Sequence, residues 1–421
     1  MPRLVIEYSP ALEGTVEIGG AKNATLPVMA ASLLAADTCT IEGAPRVTDV
    51  ATMEAILRAL GREVVWRGGV LRISPGREPG WAAPYELVRL MRASVCVLGP
   101  LLATMGRARV AMPGGCVIGP RPIDLHLKGL EALGAVTAVD HGDIIAETPG
   151  GLAGKTIHLA GAFGSSVLAT DNVMMAAVLA KGTTVIEHAA CEPEVVDLAE
   201  FLITMGARIA GAGTPVIRID GVERLRGAHH RVIPDRIEAG TCLIAAALVG
   251  RDVAVRGARF DQLGAVVDKL QEAGVGLEAV NGSIRVHRTG PLRSVDVTTL
   301  PFPGFPTDLQ APMTALLSLA DGVSVVTEKV YPERFMHVPE LNRMGAQIRR
   351  QETTILIKGV PRLSGAPVAA SDLRASAALV VAGLAADNQT DMTGVEHLDR
   401  GYDGLVEKLA GLGAKIRREE Q

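Results

Sequence analysis

The chain has 421 residues, which is too long for one ordinary hydrophobic core and predicts two domains of about 200 residues each. Its composition, 48% hydrophobic and 21% charged, is typical of a globular protein and excludes a disordered one. The formal net charge of -4 gives no bulk basic field for nucleic acid or anionic lipid, so an anionic ligand would need a local cluster of arginine and lysine.

Two kinds of predicted helix alternate along the chain. Six helices rich in small residues are predicted to begin at Asn23, Arg92, Thr170, Arg236, Asp308 and Arg374. Each leads into a β-branched strand, as at Thr183–Ile186 and Val323–Val326. A second apolar helix then ends at a glycine, where a C′ cap with positive φ is expected, and a strand-like run follows. These glycines recur about every 70 residues, at Gly61, Gly134, Gly206, Gly274, Gly345 and Gly413.

The two interleaved sequence patterns predict an α/β fold with six internal repeats. The interval is too long for a solenoid repeat and suits a compact unit of helix, strand, loop, helix, strand and strand. Six accidental matches are the alternative, which the regular spacing disfavours. We expect one domain of three repeats over residues 22–230 and a second over residues 1–21 and 231–421. Two such domains predict a cleft between them, where ligands commonly bind.

The sequence favours a cytoplasmic protein. The charge-free stretches 23–35 and 93–106 are too short to span a bilayer, and residues 1–14 do not read as a secretory signal. The number of cysteines is odd and no CxxC pair occurs, which argues against a disulfide framework and a structural zinc site. The five are Cys39, Cys96, Cys116, Cys191 and Cys242.

One cysteine has a different context. Cys116 lies in a segment dense in glycine and proline, Met112–Pro122, with Arg121 close behind it. A thiol on such a loop near basic side chains is available for acid or nucleophile chemistry. The alternative is a small buried hydrophobic residue. We favour a functional role for Cys116 and the buried alternative for the other four.

Basic residues near turns and helix starts suggest an anion site. Two glycines precede Lys22 and Asn23 at a predicted helix start, where backbone amides favour an anion, although a solvated lysine fits equally well. Arginines in similar surroundings could converge and hold phosphate or carboxylate. They are Arg92, Arg121, Arg334, Arg374 and Arg400.

Asp308 follows a proline-rich turn at a predicted helix start. It is therefore either an N-cap or a general base. The three histidine candidates, His126, His337 and His397, do not have the spacing of metal ligands, so no metal site is predicted.

Nine segments together resemble the enoylpyruvyl transferase family, in its branch that acts on UDP-N-acetylglucosamine. The resemblance spans essentially the whole chain in order. The segments are Gly20–Asn23, Leu90–Ser94, Pro113–Cys116, Gly119–His126, Pro234–Glu238, Phe305–Asp308, Arg334–His337, Asp372–Ser376 and Asp399–Tyr402.

The resemblance implies both a fold and a reaction. The fold is two pseudo-threefold domains, each of three βαβαββ units in an inside-out α/β barrel. The reaction joins phosphoenolpyruvate to the 3′-hydroxyl of UDP-N-acetylglucosamine and releases phosphate through a tetrahedral intermediate, as the first committed step of peptidoglycan precursor synthesis. No metal or organic cofactor is implied, and the only implied partners are these two small molecules.

The resemblance also implies residue roles. Lys22, Arg121 and Arg400 would hold phosphoenolpyruvate. Cys116 would protonate its methylene carbon or assist release, and Asp308 would take the 3′-hydroxyl proton. Substrate binding is implied for Lys22, Asn23, Arg92, Arg121, Pro122, Ile123, Asp124, Leu125, His126, Gly164, Ser165, Ser166, Val167, Arg236, Asp308, Val330, Arg334, Asp372, Arg374 and Arg400.

The chain departs from the family pattern at three positions. Gly164 replaces a lysine found in some members, Leu168 replaces a usual glycine, and Cys96 replaces an aromatic residue. Two alternatives remain open: the shikimate-pathway enolpyruvyl transferase, and a catalytically silent regulatory paralogue. The first lacks the Pro113–Cys116 loop, and the retained Lys22, Cys116 and Asp308 argue against the second.

Overall fold

The computed structural model describes residues 2–76, 78–112, 123–288 and 290–420. These residues form two compact units. We call 20–112 with 123–233 the amino-terminal unit, and 2–19 with 234–420 the carboxy-terminal unit. The chain passes from one to the other after Gly19 and again after Ile233.

The chain begins with two strands of the carboxy-terminal unit, β1 (Arg3–Glu7) and β2 (Leu12–Glu17). The amino-terminal unit follows. Its helices are α1 (Lys22–Ala31), α2 (Thr48–Ala59), α3 (Tyr85–Val88), α4 (Leu98–Met105), α5 (Asp124–Ala132), α6 (Val167–Ala177) and α7 (Pro193–Met205), with 3-10 helices at Ser32–Leu34 and Arg92–Val97. Its strands are β3 (Cys39–Glu42), β4 (Arg62–Arg67), β5 (Val70–Pro75), β6 (Ala82–Ala83), β7 (Arg107–Ala111), β8 (Val136–Asp140), β9 (Asp143–Glu147), β10 (Thr156–His158), β11 (Ala160–Gly161), β12 (Gly164–Ser165), β13 (Thr183–Glu187), β14 (Arg208–Ala210), β15 (Val216–Asp220) and β16 (His229–Arg231).

The rest of the carboxy-terminal unit repeats this pattern. Its helices are α8 (Arg236–Val249), α9 (Phe260–Glu272), α10 (Gln310–Leu317), α11 (Val338–Arg343), α12 (Leu373–Ala385) and α13 (Leu405–Gly411), with 3-10 helices at Thr307–Leu309 and Val395–Arg400. Its strands are β17 (Gly250–Arg256), β18 (Val275–Val280), β19 (Ser283–Arg288), β20 (Val297–Thr298), β21 (Val323–Thr327), β22 (Gln347–Gln351), β23 (Thr354–Lys358), β24 (Leu363–Ser364), β25 (Pro367–Ala369), β26 (Ala386–Asp387), β27 (Gln389–Thr393) and β28 (Ile416–Glu419).

Each unit, as far as the structure describes it, contains three four-stranded sheets of one design. In every sheet the first two strands are parallel and the remaining pairs are antiparallel. The amino-terminal sheets are ordered β16-β3-β5-β4, β6-β7-β9-β8 and β10-β13-β15-β14. The carboxy-terminal sheets are ordered β2-β17-β19-β18, β20-β21-β23-β22 and β25-β27-β1-β28. In the last of these, β1 occupies the position that the second hairpin strand has elsewhere. The predicted sixfold repeat is thus confirmed as one sheet for each repeat.

The sheets cover buried helices. Strands such as β23 bury Ile355 and Ile357 and leave the alternate side chains more exposed, because successive residues point to opposite faces. In the carboxy-terminal unit α8, α10 and α12 pack on one another, and every residue of α8 is buried. Small residues allow this close approach: a Cβ on Gly240 would lie 2.2 Å from Leu309 Cδ1. The helices rich in small residues are therefore the centre of each unit.

The predicted glycine caps are confirmed. The six glycines that end the second helices have φ between 82° and 110°, a region that disfavours residues with a side chain.

The predicted start of one central helix was wrong. Helix α6 begins at Val167, ahead of Thr170, because Ser166 caps it by accepting from Ala169 N at 3.4 Å. Among the described residues, no helix is long and apolar enough to cross a membrane.

Candidate active site

Asp308 lies between two arginines in the carboxy-terminal unit. Its Oδ1 accepts from Arg334 Nη1 at 2.6 Å, and its Oδ2 accepts from Arg374 Nη2 at 2.7 Å. Both arginine side chains are almost fully buried, at 8% and 4% exposure. The N-cap alternative for Asp308 is wrong, because Pro306 occupies the cap position of the 3-10 helix and both carboxylate oxygens face guanidinium groups.

Opposing effects set the charge of this carboxylate. Burial favours the neutral acid, but the charges and hydrogen bonds of Arg374 and Arg334 outweigh it and hold the pKa of Asp308 well below its usual range. Asp308 is therefore an anion throughout the physiological pH range. Because such a low pKa also makes it a weak proton acceptor, its two arginine contacts limit its basicity.

Arg374 and Asp372 occupy the start of α12. Asp372 is the N-cap, since its Oδ1 accepts from the backbone N–H of Arg374 at 2.8 Å and of Ala375 at 3.1 Å. The guanidinium carbon of Arg374 lies 5.2 Å from the ring centroid of Tyr402. Tyr402 is in turn hydrogen-bonded through its hydroxyl to Thr241 at 2.9 Å. The sequence analysis singled out Asp372 as a ligand-binding residue, and in the structure its side chain orders the helix that carries Arg374.

The other candidates of this unit lie at comparable places in the fold. Arg236 begins α8 and lies over Phe302, with 5.5 Å from its guanidinium carbon to the ring centroid. Arg400 ends the 3-10 helix Val395–Arg400. Val330 lies in the turn between β21 and α11 that also carries Arg334. Together with Asp308, they place the unit's candidate residues at helix ends and turns.

Lys22 begins α1 in the amino-terminal unit and forms an ion pair. Its Nζ lies 3.1 Å from Asp49 Oδ2, and the two side chains are only 12% and 6% exposed. The alternative of a solvated lysine is therefore wrong. Asp49 was not predicted, although its place in the first turn of α2, where acidic residues are favoured, gave a signal. Asn23 follows Lys22 in the first turn of α1 and is partly exposed.

His126 is buried and belongs to a side-chain network. Its Nδ1 lies 3.0 Å from Asn172 Nδ2, which also donates to Val95 O at 2.8 Å. Burial, aided by the nearby charge of Arg92, lowers the pKa of His126 to about 3, so the imidazole is neutral. Asn172 further accepts from Gly99 N at 2.7 Å. His126 thus ties α5 to α6, while Asp124 and Leu125 on the first turn of α5 are less buried.

The segment before α6 forms a narrow hairpin. Strands β11 and β12 pair there, and Ser165, Ser166 and Val167 are partly exposed. Gly164 has a φ of 91°, a conformation that suits glycine. The glycine that replaces the lysine of some family members therefore lies where the backbone conformation disfavours a residue with a side chain.

Cys116, Arg121 and Pro122 lie outside the described residues. In the described segments, Cys39, Cys96 and Cys242 are buried as expected, whereas Cys191 is partly exposed and its predicted burial was wrong. Burial raises the thiol pKa of all four. These thiols are therefore poorly reactive at neutral pH. Within residues 2–76, 78–112, 123–288 and 290–420, no group of three or more His, Cys, Asp or Glu residues is arranged to hold a metal ion.

The fold is that of the enolpyruvyl (carboxyvinyl) transferases, as comparison with known proteins shows. A family model described as EPSP synthase (3-phosphoshikimate 1-carboxyvinyltransferase) matches residues 6–409, and the chain belongs to this enolpyruvyl transferase family. The crystal structure of the enolpyruvyl transferase NikO from Streptomyces tendae is similar, with a TM-score of 0.89 and 27% identity over 99% of this chain and 98% of that one.

Curated relatives are more similar still. The UDP-N-acetylglucosamine 1-carboxyvinyltransferase of Methylacidiphilum infernorum is 50% identical over 418 residues, covering 99% of each chain. The UDP-N-acetylglucosamine 1-carboxyvinyltransferase 2 of Carboxydothermus hydrogenoformans is 53% identical over 420 residues, again covering 99% of each.

Proposed function

We propose that this chain transfers the enolpyruvyl group of phosphoenolpyruvate to the 3′-hydroxyl of UDP-N-acetylglucosamine and releases phosphate. The observation that carries the proposal is its identity of half or more, over nearly the full length, with proteins named for carboxyvinyl transfer to that nucleotide sugar. The cluster of Asp308, Arg334 and Arg374 supplies a carboxylate and anion-binding groups at one place. This reaction is the first committed step of peptidoglycan precursor synthesis.

The reaction proceeds by addition and elimination. The 3′-oxygen bonds to C2 of phosphoenolpyruvate as C3 gains a proton and becomes a methyl group. The bond from C2 to the phosphate oxygen then breaks, C3 loses a proton, and the enol ether and inorganic phosphate remain. The protein must therefore hold a polyanionic donor, remove one hydroxyl proton, and give and retrieve one proton at carbon.

Basic residues hold the donor. We assign its phosphate and carboxylate to Lys22, Arg121 and Arg400, and we assign Arg334 and Arg374 to the same donor. Guanidinium groups suit this task because their paired N–H donors match the oxygens of carboxylates and phosphates. The buried contact of Asp49 keeps the Nζ of Lys22 in one position before the donor arrives.

Asp308 accepts the 3′-hydroxyl proton. Its contacts with Arg334 and Arg374 depress its pKa, so the free protein holds a weak base. An incoming anion competes for the same two guanidinium groups. Sharing them moves the pKa of Asp308 upward, towards the range in which a carboxylate accepts a proton readily. Donor binding thus strengthens the base when it is needed.

Cys116 serves as the acid at C3. The four described cysteines are unsuited to this role because burial raises their pKa values. We assign the nucleotide sugar to Asn23, Arg92, Arg236, Val330 and the runs 121–125 and 164–167. His126 and Asp372 position these elements through the contacts described above. We place the reaction in the cytoplasm, which fits the four described cysteines, all of them free thiols.

Phosphate release with two competing acceptors tests the proposal. Purified protein is mixed with phosphoenolpyruvate and either UDP-N-acetylglucosamine or shikimate 3-phosphate, the acceptor that the family description names. We expect sustained release only with the nucleotide sugar. Release only with shikimate 3-phosphate would assign the other transferase activity, and release with neither would indicate a silent paralogue.

A further inference from the structure

Glu328 follows β21 directly and is fully buried. It lies beside Thr299, which follows the parallel strand β20. Its carboxylate accepts four hydrogen bonds, as an ionised carboxylate with only acceptor sites does. The donors are Thr299 Oγ1 at 2.6 Å, Val330 N at 2.8 Å, Tyr331 N at 2.9 Å and Thr307 Oγ1 at 2.9 Å. A buried carboxylate satisfied in this way fixes the position of every group that donates to it.

Three of these bonds converge on Glu328 Oε1 and anchor the turn that carries Arg334. The backbone N–H groups of Val330 and Tyr331 both point at this oxygen. The N–H of Arg334 then donates to Tyr331 O at 2.9 Å. The main chain of Arg334 is therefore tied to Glu328 through two hydrogen bonds in series, with Tyr331 between them.

The fourth bond reaches the Arg334 side chain through Thr307. The hydroxyl of Thr307 donates to Glu328 Oε2 and accepts from Arg334 Nη1 at 3.1 Å. The same Nη1 donates to Asp308 Oδ1. Because the hydroxyl hydrogen of Thr307 points at Glu328, the lone pairs of its oxygen point at Arg334. Hydrogen-bond donation therefore runs outward from Arg334 in two directions, directly to Asp308 and through Thr307 to Glu328.

We propose that Glu328 is a positioning residue that orients Arg334, and through it Asp308, with Thr307 as the relay. The inference deepens the proposed function and rests on it, since it concerns the group assigned as the base. Catalytic geometry is sensitive to small displacements, and a shift of about 1 Å costs about 10²-fold in rate. Thr307 and Glu328 therefore affect turnover although neither is assigned to a reacting atom.

A pair of substitutions at Thr307 isolates the relay. Thr307→Val keeps the shape and removes the hydroxyl, whereas Thr307→Ser keeps the hydroxyl and removes a methyl group. Glu328→Gln tests the other end. Its amide oxygen can replace Oε1, but its NH₂ group then faces Thr307 and cannot accept the hydrogen bond from the hydroxyl. Thr184→Val is the control, because Thr184 is fully buried and its hydroxyl has no hydrogen-bond partner among the described residues.

We expect kcat to fall about 10- to 100-fold in Thr307→Val and Glu328→Gln, with Thr307→Ser restoring most of it and Thr184→Val unchanged. The acid limb of the pH profile of kcat/KM should move to higher pH in the two impaired variants, because a loosened Arg334 depresses the pKa of Asp308 less. A residue that only stabilises the fold would lower the melting temperature without moving that limb.

Two results would overturn the inference alone: a Thr307→Val enzyme with the wild-type kcat and pH profile, or a Thr307→Ser enzyme as impaired as the valine variant. Wild-type protein that is inactive with both substrates would overturn the proposed function, and this inference with it.

Discussion

Replacing Asp308 by asparagine separates the chemistry from the binding of the sugar. The substitution keeps the shape of the side chain but removes its charge, so Arg334 and Arg374 lose the carboxylate that each contacts within 2.7 Å. A positioned base contributes about 10²–10⁴-fold to the rate, and kcat should fall by that factor. The affinity for UDP-N-acetylglucosamine should change far less, because one hydrogen bond of a neutral group contributes about 0.5–1.5 kcal/mol.

Phosphate release measures kcat, and titration calorimetry with the nucleotide sugar measures the affinity. Loss of the buried charge also destabilises the protein, so a control must separate stability from chemistry. Asp197→Asn is this control. Asp197 Oδ1 contacts His230 Nε2 at 3.0 Å in a buried pair that is assigned no part in the reaction. The reasoning would be refuted by an Asp308→Asn enzyme with near-normal kcat, or by an Asp197→Asn enzyme, folded at the assay temperature, with an equal loss.

Two further predictions concern the thiols and the buried histidines. A phosphonate epoxide that mimics phosphoenolpyruvate should alkylate Cys116 faster than any other cysteine, because burial raises the pKa of the other four thiols. Cys116→Asp should block labelling yet keep some turnover. Peptide mapping that finds the label mainly at Cys39, Cys96, Cys191 or Cys242 would count against the role of Cys116. Burial lowers the pKa of His126 to about 3 and that of His337 to about 4, both below the unfolded value of 6.5. The unfolded chain therefore binds more protons than the folded one, and the free energy of unfolding should decrease as the pH falls below 6.5. Denaturant unfolding between pH 7 and pH 4 should show a shallower decrease for His126→Gln, and an unchanged slope would contradict the neutral imidazole.

The periodic features of the fold were predictable from the sequence. Glycine at the six helix ends was readable because only a residue without a Cβ adopts that φ freely. The central helices were readable from their small residues, since close packing excludes large ones. The start of α6 was misplaced because Ser166 caps it before the apolar pattern begins.

The site was predictable only in part. Charged residues beside turns could be recognised as candidates, but their partners are distant in sequence, as with Lys22 and Asp49 or Asp308 and Arg374. Glu328 belongs to no sequence motif, because its role comes from Thr299, which follows β20, and from Thr307, which begins a 3-10 helix. The burial of His126 and its contact with Asn172 could not be predicted from a single histidine in a helix.

The most direct test of the proposed reaction is the mass of its product after turnover in D₂O. Addition and elimination convert C3 to a methyl group and back, so UDP-N-acetylglucosamine and phosphoenolpyruvate should give an enolpyruvyl ether on the 3′-oxygen with deuterium in its vinyl CH₂ group. Mass spectrometry measures the deuterium and NMR assigns the attachment point. An ether without deuterium would contradict the addition–elimination route, and the absence of any ether with the nucleotide sugar would contradict the function.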